Sequence, residues 1–177
     1  MSQLGEWLSC VFDILPRIWV VEPDEGGIRT TLGKWVKDAP TGWYIDWPII
    51  HVCTKRPITP QVVDLRGQSV ITRDGKDVVI GGALQYKITS ARKAILEVND
   101  LDESIVSLAL GIIHERATKH TLAELLQPDC LTSCLLREIR EATSGWGVKI
   151  MEVFITDLGN VKNIRFIGDR QYVELED

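Results

Sequence analysis

The side chains most able to do chemistry are three histidines and four cysteines. His114 and His120 sit on one stretch that reads as a helix. Two histidines that share a zinc ion on a helix stand four residues apart. Here the step is six, which turns the second ring about 240° around the axis. Cys130 and Cys134 are four apart, but no other Cys or His pair has metal-site spacing. Two small apolar thiols are the expectation for them. Asp100, Asp102 and Glu103 suit the start of a helix better than an acid/base pair, and the aspartates of "TRDGKD" suit a turn. The chain has no Walker loop, no GxGxxG and no GxSxG. The expectation is therefore no catalytic residue, no metal and no cofactor.

The aromatic residues offer a second kind of chemistry. "PTGWYIDWP", residues 40–48, holds two of the six tryptophans, Trp43 and Trp47, with Tyr44 between them. Such a cluster can be core, a platform for nucleic-acid bases, or a belt at a lipid surface. The formal charge of −5 and the pI of about 5.3 supply no basic field, so nucleic acid is not an expected partner. At 177 residues with 45% hydrophobic and 25% charged residues, the chain is long and apolar enough to bury a core without staples. Four scattered cysteines and no cleavable leader point to a reducing, cytosol-facing setting.

The first residues, "MSQLGEWLSCVFDILPRIWVVEP", are more apolar than a solvated leader. At ~100° per residue Leu4, Trp7, Leu8, Val11, Phe12, Leu15, Ile18 and Trp19 fall on one side, with Glu6 and Asp13 opposite. Pro16 interrupts the pattern, so the expectation is a helix to about Leu15, a bend, and the strand "RIWVVEP". From the residues alone, the helix either docks on its own domain or lies in a membrane interface.

The middle of the chain reads as strands. "GIRTTLGKWV" and "GWYIDWPIIHVCTKR" come first. Two longer arms follow, joined at Asp74-Gly75, a pair that favours a hairpin turn. The second arm alternates at Val78, Ile80, Leu84, Tyr86 and Ile88, with a bulge expected at Gly81-Gly82. After Thr89 the period becomes helical. Ser90 caps "SARKAILEV", Asp100 with Glu103 opens a long helix, and Thr121 with Glu124 caps a short one. A last helix begins at Pro128-Asp129 and stops at Ser144-Gly145. "WGVKIMEVFITDL" returns to period two. The class is α+β, with an antiparallel sheet early, helices later and a closing strand.

Four segments in this order resemble the SPFH family, also called band seven or prohibitin homology, of stomatins and prohibitins. Gly42, Pro48, Ile49 and Ile50 match its opening loop, with Thr41 where proline is usual. "VDLR", Val63 to Arg66, is similar to its D-x-R strand. Thr72, Asp74, Gly75, Val78, Tyr86 and Ile88 match its hairpin. Trp146, Gly147 and Asp157 match its exit strand.

The resemblance implies three parts: an amphipathic membrane-association segment over 1–17, the SPFH domain over 18–158 and a tail over 159–177. It implies a non-enzymatic scaffold that is membrane-associated on the cytoplasmic face, with membrane lipid, further copies of itself and a membrane protease or channel as partners. Leu4 to Trp19 then reads as the anchor, with Cys10 a candidate for acylation. Residues 159–177 carry no sustained heptads, so oligomers smaller than the family's large assemblies are expected. The alternative is a soluble adaptor whose first helix docks on protein.

Overall fold

A computed structural model describes residues 15–127 and 130–160, with the Cys130 side chain left aside. Leu4, Trp7, Leu8, Val11, Phe12 and Cys10, the start of the last helix at Pro128-Asp129, and the tail beyond Asn160 lie outside the described residues. Strands β1 (Arg17–Val21) and β4 (Gly42–Asp46) form an antiparallel ribbon. Strands β2 (Glu25–Thr31), β3 (Trp35–Ala39) and β5 (His51–Pro57) make a sheet in the order β3-β2-β5. Strands β6 (Gln61–Ile71), β7 (Asp77–Ile88) and β8 (Val148–Asn160) make another, in the order β6-β7-β8. Helices α1 (Ala91–Leu96), α2 (Leu101–Lys119), α3 (Leu122–Leu125) and α4 (Cys130–Ala142) lie between β7 and β8. The α+β order expected from the sequence is the order found.

The core lies between the last sheet and the helices. β7 turns Val78, Ile80, Leu84, Tyr86 and Ile88 inward, all buried. α2 answers with Leu101, Ile105, Ala109, Ile113 and Ala117, a four-residue spacing that keeps one stripe on the sheet. α4 adds Leu131, Leu135 and Ile139 at the same spacing. Ser90, Asp100 and Thr121 each accept a bond from the backbone N–H three residues on, as their capping role requires. Thr121 and Glu124 form the full reciprocal box.

The motif residues hold the joints of this layer. Gly75 turns the β6–β7 hairpin at φ +74°. The Asp74 carboxylate accepts from the Thr72 hydroxyl at 2.5 Å and from the Leu122 N–H at 3.2 Å, so the hairpin tip is tied to α3. Trp146 packs against the core, and the Gly147 carbonyl accepts from the Thr89 and Ser90 N–H groups. A Cβ on Gly147 would stand 2.6 Å from the Lys93 Cβ, so only glycine lets α1 and β8 meet there. The register shifts between Gly81 and Gly82 as the sequence suggests. There the Phe154 carbonyl lies 2.3 Å from where a Gly82 Cβ would stand, so a side chain at this position would not fit.

Three expectations change. "GIRTTLGKWV" is a hairpin, β2 turning into β3 at Leu32-Gly33, rather than one strand. "GWYIDWPIIHVCTKR" divides at Pro48 into β4 and β5, which belong to different sheets. The strand expected over "RIWVVEP" is β1, so Ile18 and Trp19 do not share the face that the helical projection gave them. They are neighbours on β1, where successive side chains point to opposite sides. Ile18 is exposed, whereas Trp19 is half-buried beside Tyr44.

Candidate functional site

The nucleophiles and ligands stay apart. His114 is exposed on α2, and His120 is the C-terminal cap of that helix, with Nδ1 3.2 Å from the Glu124 carboxylate. Cys134 lines a small cavity with His120 and Glu124, an arrangement that names a nucleophile, a base and a carboxylate. The cavity volume is about 10 Å³, space for one water and none for a substrate. Among the described residues, no three His, Cys, Asp or Glu side chains are placed to hold a metal. Asp100 caps α2, and Asp102 accepts the Tyr86 hydroxyl proton. The Cys53 thiol donates to Asp46 at 3.3 Å, and burial, then that carboxylate, push its pKa up to about 12. A thiol held that firmly protonated is a poor nucleophile.

The aromatic cluster behaves differently. In the β1–β4 ribbon, Trp19 pairs with Tyr44, their rings 5.6 Å apart, and the Tyr44 hydroxyl donates to the Pro40 carbonyl. Those two side chains face the rest of the domain. The alternate positions face out: Ile18 opposite Ile45 and Val20 opposite Trp43. All four are exposed, Trp43 by 71%. This is an apolar outer face on a two-stranded ribbon.

A second apolar group lies at one end of the neighbouring sheet. The β2–β3 turn projects Leu32, with Trp35 just beyond it on β3. The β4–β5 turn projects Trp47, Ile49 and Ile50. A bond from the Leu32 N–H to the Ile50 carbonyl, 2.7 Å, holds the two turns together. Pro48 starts the second turn, where its missing N–H is no loss, and the Ile50 and His51 N–H groups close it on the Trp47 carbonyl. Gly42 opens β4 at φ +152°, a backbone angle that favours glycine.

Leu32 is held against its own preference. Its φ is +50° and that of Gly33 is +65°, so the turn needs two left-handed residues. Asparagine or glycine fits such a position; leucine there is uncommon and strained. Yet Leu32 is 63% exposed, so little packing compensates.

The ribbon and the tip are joined covalently. Arg17 of β1 is opposite Asp46 of β4, and one residue later the chain is in the Trp47–Ile50 turn. Leu15, the first described residue, therefore lies near the apolar tip. Of the residues singled out from sequence, Ile18, Trp19, Gly42 and Pro48 come together here. Asp74, Gly75, Trp146 and Gly147 are joints of the other layer. Leu32, Trp35, Ile45 and Val20 were not singled out. The glycine of "TLGK" was the available signal for the tight turn that exposes Leu32 and Trp35.

Comparison with known proteins decides the family. The family model described as "SPFH domain / Band 7 family" matches residues 19–168. The chain belongs to the SPFH, or band 7, family. An uncharacterized protein of Methanocaldococcus jannaschii is 29% identical over 159 residues, covering 89% of this chain and 80% of that protein. A stomatin homolog of Pyrococcus horikoshii is 27% identical, over 80% of this chain and 53% of its own length. Stomatin-like protein 3 of Mus musculus is 26% identical, over 63% of this chain and 39% of its own. SPFH proteins of the stomatin type are generally membrane-associated scaffolds without catalytic activity. In this SPFH domain no helix among the described residues is long and apolar enough to cross a membrane.

Proposed function

We propose that this SPFH domain is a non-enzymatic scaffold that rests on a membrane surface through its apolar tip and ribbon face. It would gather lipid around itself, pack beside further copies, and hold a partner membrane protein such as a protease or channel. The observation that carries the reading is Leu32: an exposed leucine kept in a strained left-handed turn, bonded to a second turn that exposes Ile49 and Ile50. Strain retained without internal packing points to an external contact. An apolar surface flanked by tryptophans suits the headgroup region of a bilayer.

The segment read from sequence as the anchor, Leu4 to Trp19, would engage the same surface as the tip. Cys10 would lie within that segment, where acylation would strengthen the contact. The face would be the cytoplasmic one, a reading supported by the free Cys53 and Cys134.

Flotation of the full chain with liposomes tests the reading. Wild type is expected to rise with the vesicles, Val11→Asp with Leu15→Asp to rise less, and Trp43→Glu with Ile45→Glu to rise less with an unchanged melting temperature. Wild type that stays at the bottom of the gradient refutes the membrane reading and favours a soluble adaptor.

A further inference from the structure

The β6-β7-β8 sheet ends in two edge strands with different fates. Arg140 of α4 closes part of the β8 edge: its Nε donates to the Ile150 carbonyl at 2.9 Å and its Nη2 to the Met151 carbonyl at 3.1 Å. β6 has no such cover among the described residues. A groove of about 550 Å³ runs between its edge and α2. Val63, Val106 and Leu110 give it an apolar floor, and these three also pack on the core.

Both ends of the groove are fixed. At one end Gln68 donates to the Leu110 carbonyl at 2.9 Å and ties β6 to α2. At the other, the buried Tyr86 hydroxyl bonds both Gln61 of β6 and Asp102 of α2, and Arg56 stands 3.9 Å from Asp102. Between the ties β6 runs regularly over residues 62–65 and bulges at Arg66-Gly67, which leaves a regular edge of about four residues. The rim is charged. Asp64 on the strand side and Glu103 on the helix side form no ion pair among the described residues, and they outnumber Arg66.

We propose that this groove is a strand-addition site for a partner protein. An extended segment with alternating apolar and basic residues would pair with the open edge of β6 as a fourth strand. Its apolar side chains would meet Val63, Val106 and Leu110, and its lysines or arginines would meet Asp64 and Glu103. Strand addition by a second copy of the chain is the poorer fit: Arg140 covers part of the β8 edge, and pairing two β6 edges would set Asp64 and Glu103 of one copy against those of the other. The inference rests on the reading that this chain holds a partner protein, and it does not depend on membrane docking.

The test uses the full chain and a fluorescein-labelled peptide, TKVKVKT, followed by anisotropy, with hydrogen exchange on the β6 amides. The expected result is saturable binding that weakens with salt, new protection confined to β6, and at least tenfold weaker binding in Asp64→Lys with Glu103→Lys. Both substituted side chains are exposed, and Glu103 lies in the first turn of α2, so the melting temperature should fall by no more than a few degrees. Equal binding of TEVEVET, or of TKVPVKT with its missing donor, overturns the proposal. So does β6 that is already fully protected without peptide, which would mean the chain fills its own groove. Flotation separates the two readings: the double-lysine variant should float like wild type, and wild-type protein that floats but binds no peptide refutes strand addition alone.

Discussion

Replacing Leu32 by asparagine should make the protein more stable and worse at binding vesicles. The residue sits at φ +50° in a turn whose geometry asparagine tolerates better than leucine. Relief of that strain is worth about 0.5–1 kcal/mol, given that a left-handed residue other than glycine costs on the order of 1–2 kcal/mol. For a chain of this size that raises the melting temperature by roughly 1–4 °C. The opposing effect is at the lipid surface. A fully buried leucine gains about 2 kcal/mol on leaving water, and Leu32 has 63% of its surface still to bury. Membrane contact through it is then worth about 1.3 kcal/mol, a loss of ~10-fold in vesicle partition when it is removed. Thermal melts by circular dichroism and sedimentation with increasing lipid measure the two quantities on the same sample. A higher melting temperature with unchanged partition would refute membrane contact at the tip. A lower melting temperature would show that Leu32 packs internally and that the strain argument fails.

Three further outcomes follow from individual contacts. Cys53, raised to about 12 by burial and by Asp46, should react with iodoacetamide at pH 8 far more slowly than in the unfolded chain, and Asp46→Asn should speed it; peptide mass mapping reads this, and equal rates in folded and unfolded protein contradict it. Gly147→Ala should destabilise by about 1–3 kcal/mol through its φ of +73° and the clash with Lys93, whereas Gly111→Ala, with open space on α2, should stabilise by about 0.5–1 kcal/mol; urea melts that give the reverse order would undo the reasoning. The Thr72 hydroxyl, then Lys76 and the Leu122 N–H, hold the Asp74 pKa down from 3.8 to about 2. A carboxyl depressed in the folded state stabilises above its unfolded pKa, so this contribution is full above about pH 4 and is lost as pH falls toward 2. Asp74→Asn should therefore flatten the acid limb of stability in that window, and parallel urea midpoints for both proteins down to pH 2 would check it.

The sequence was most informative where a periodic pattern and a local backbone rule agree. Val78 to Ile88 alternates without a break, and the strand is there with every inward residue buried. Asp74-Gly75, Ser90, Asp100 and Thr121 each act through their own backbone neighbours, so their roles are readable without knowing the fold. The first five strands were harder. Each is five or seven residues long, and their partners are set by contacts distant in sequence, so "GIRTTLGKWV" looked continuous. Leucine in place of asparagine before Gly33 hid the turn, because leucine is not a residue that a left-handed position selects. The same substitution is what marks the site: a local rule broken where no internal packing compensates. The strand expected over "RIWVVEP" is β1, and only the single face given to Ile18 and Trp19 fails, since a helical projection carried past Pro16 puts on one side residues that a strand separates.

The two layers of the domain differ in what supports them. The β6-β7-β8 layer is covered by α2 and α4 and has a continuous core. The β1–β5 layer has only Val21, Ile28 and Ala39 as buried apolar residues, and it displays Ile18, Val20, Leu32, Trp35, Trp43 and Ile45 instead. Two- and three-stranded sheets with so little buried surface are marginal by themselves. Helix α1 steadies one side, where its Ala91 closes on Gly26 together with Ile58 from the loop after β5. The exposed side has no helix over it among the described residues. A contact there would add stability to the layer that needs it most, by favouring the folded state to which it binds. Vesicles should accordingly slow hydrogen exchange in β1–β5 and leave β7 unchanged. Uniform slowing across both layers would mean that the surface does no more than hold the chain.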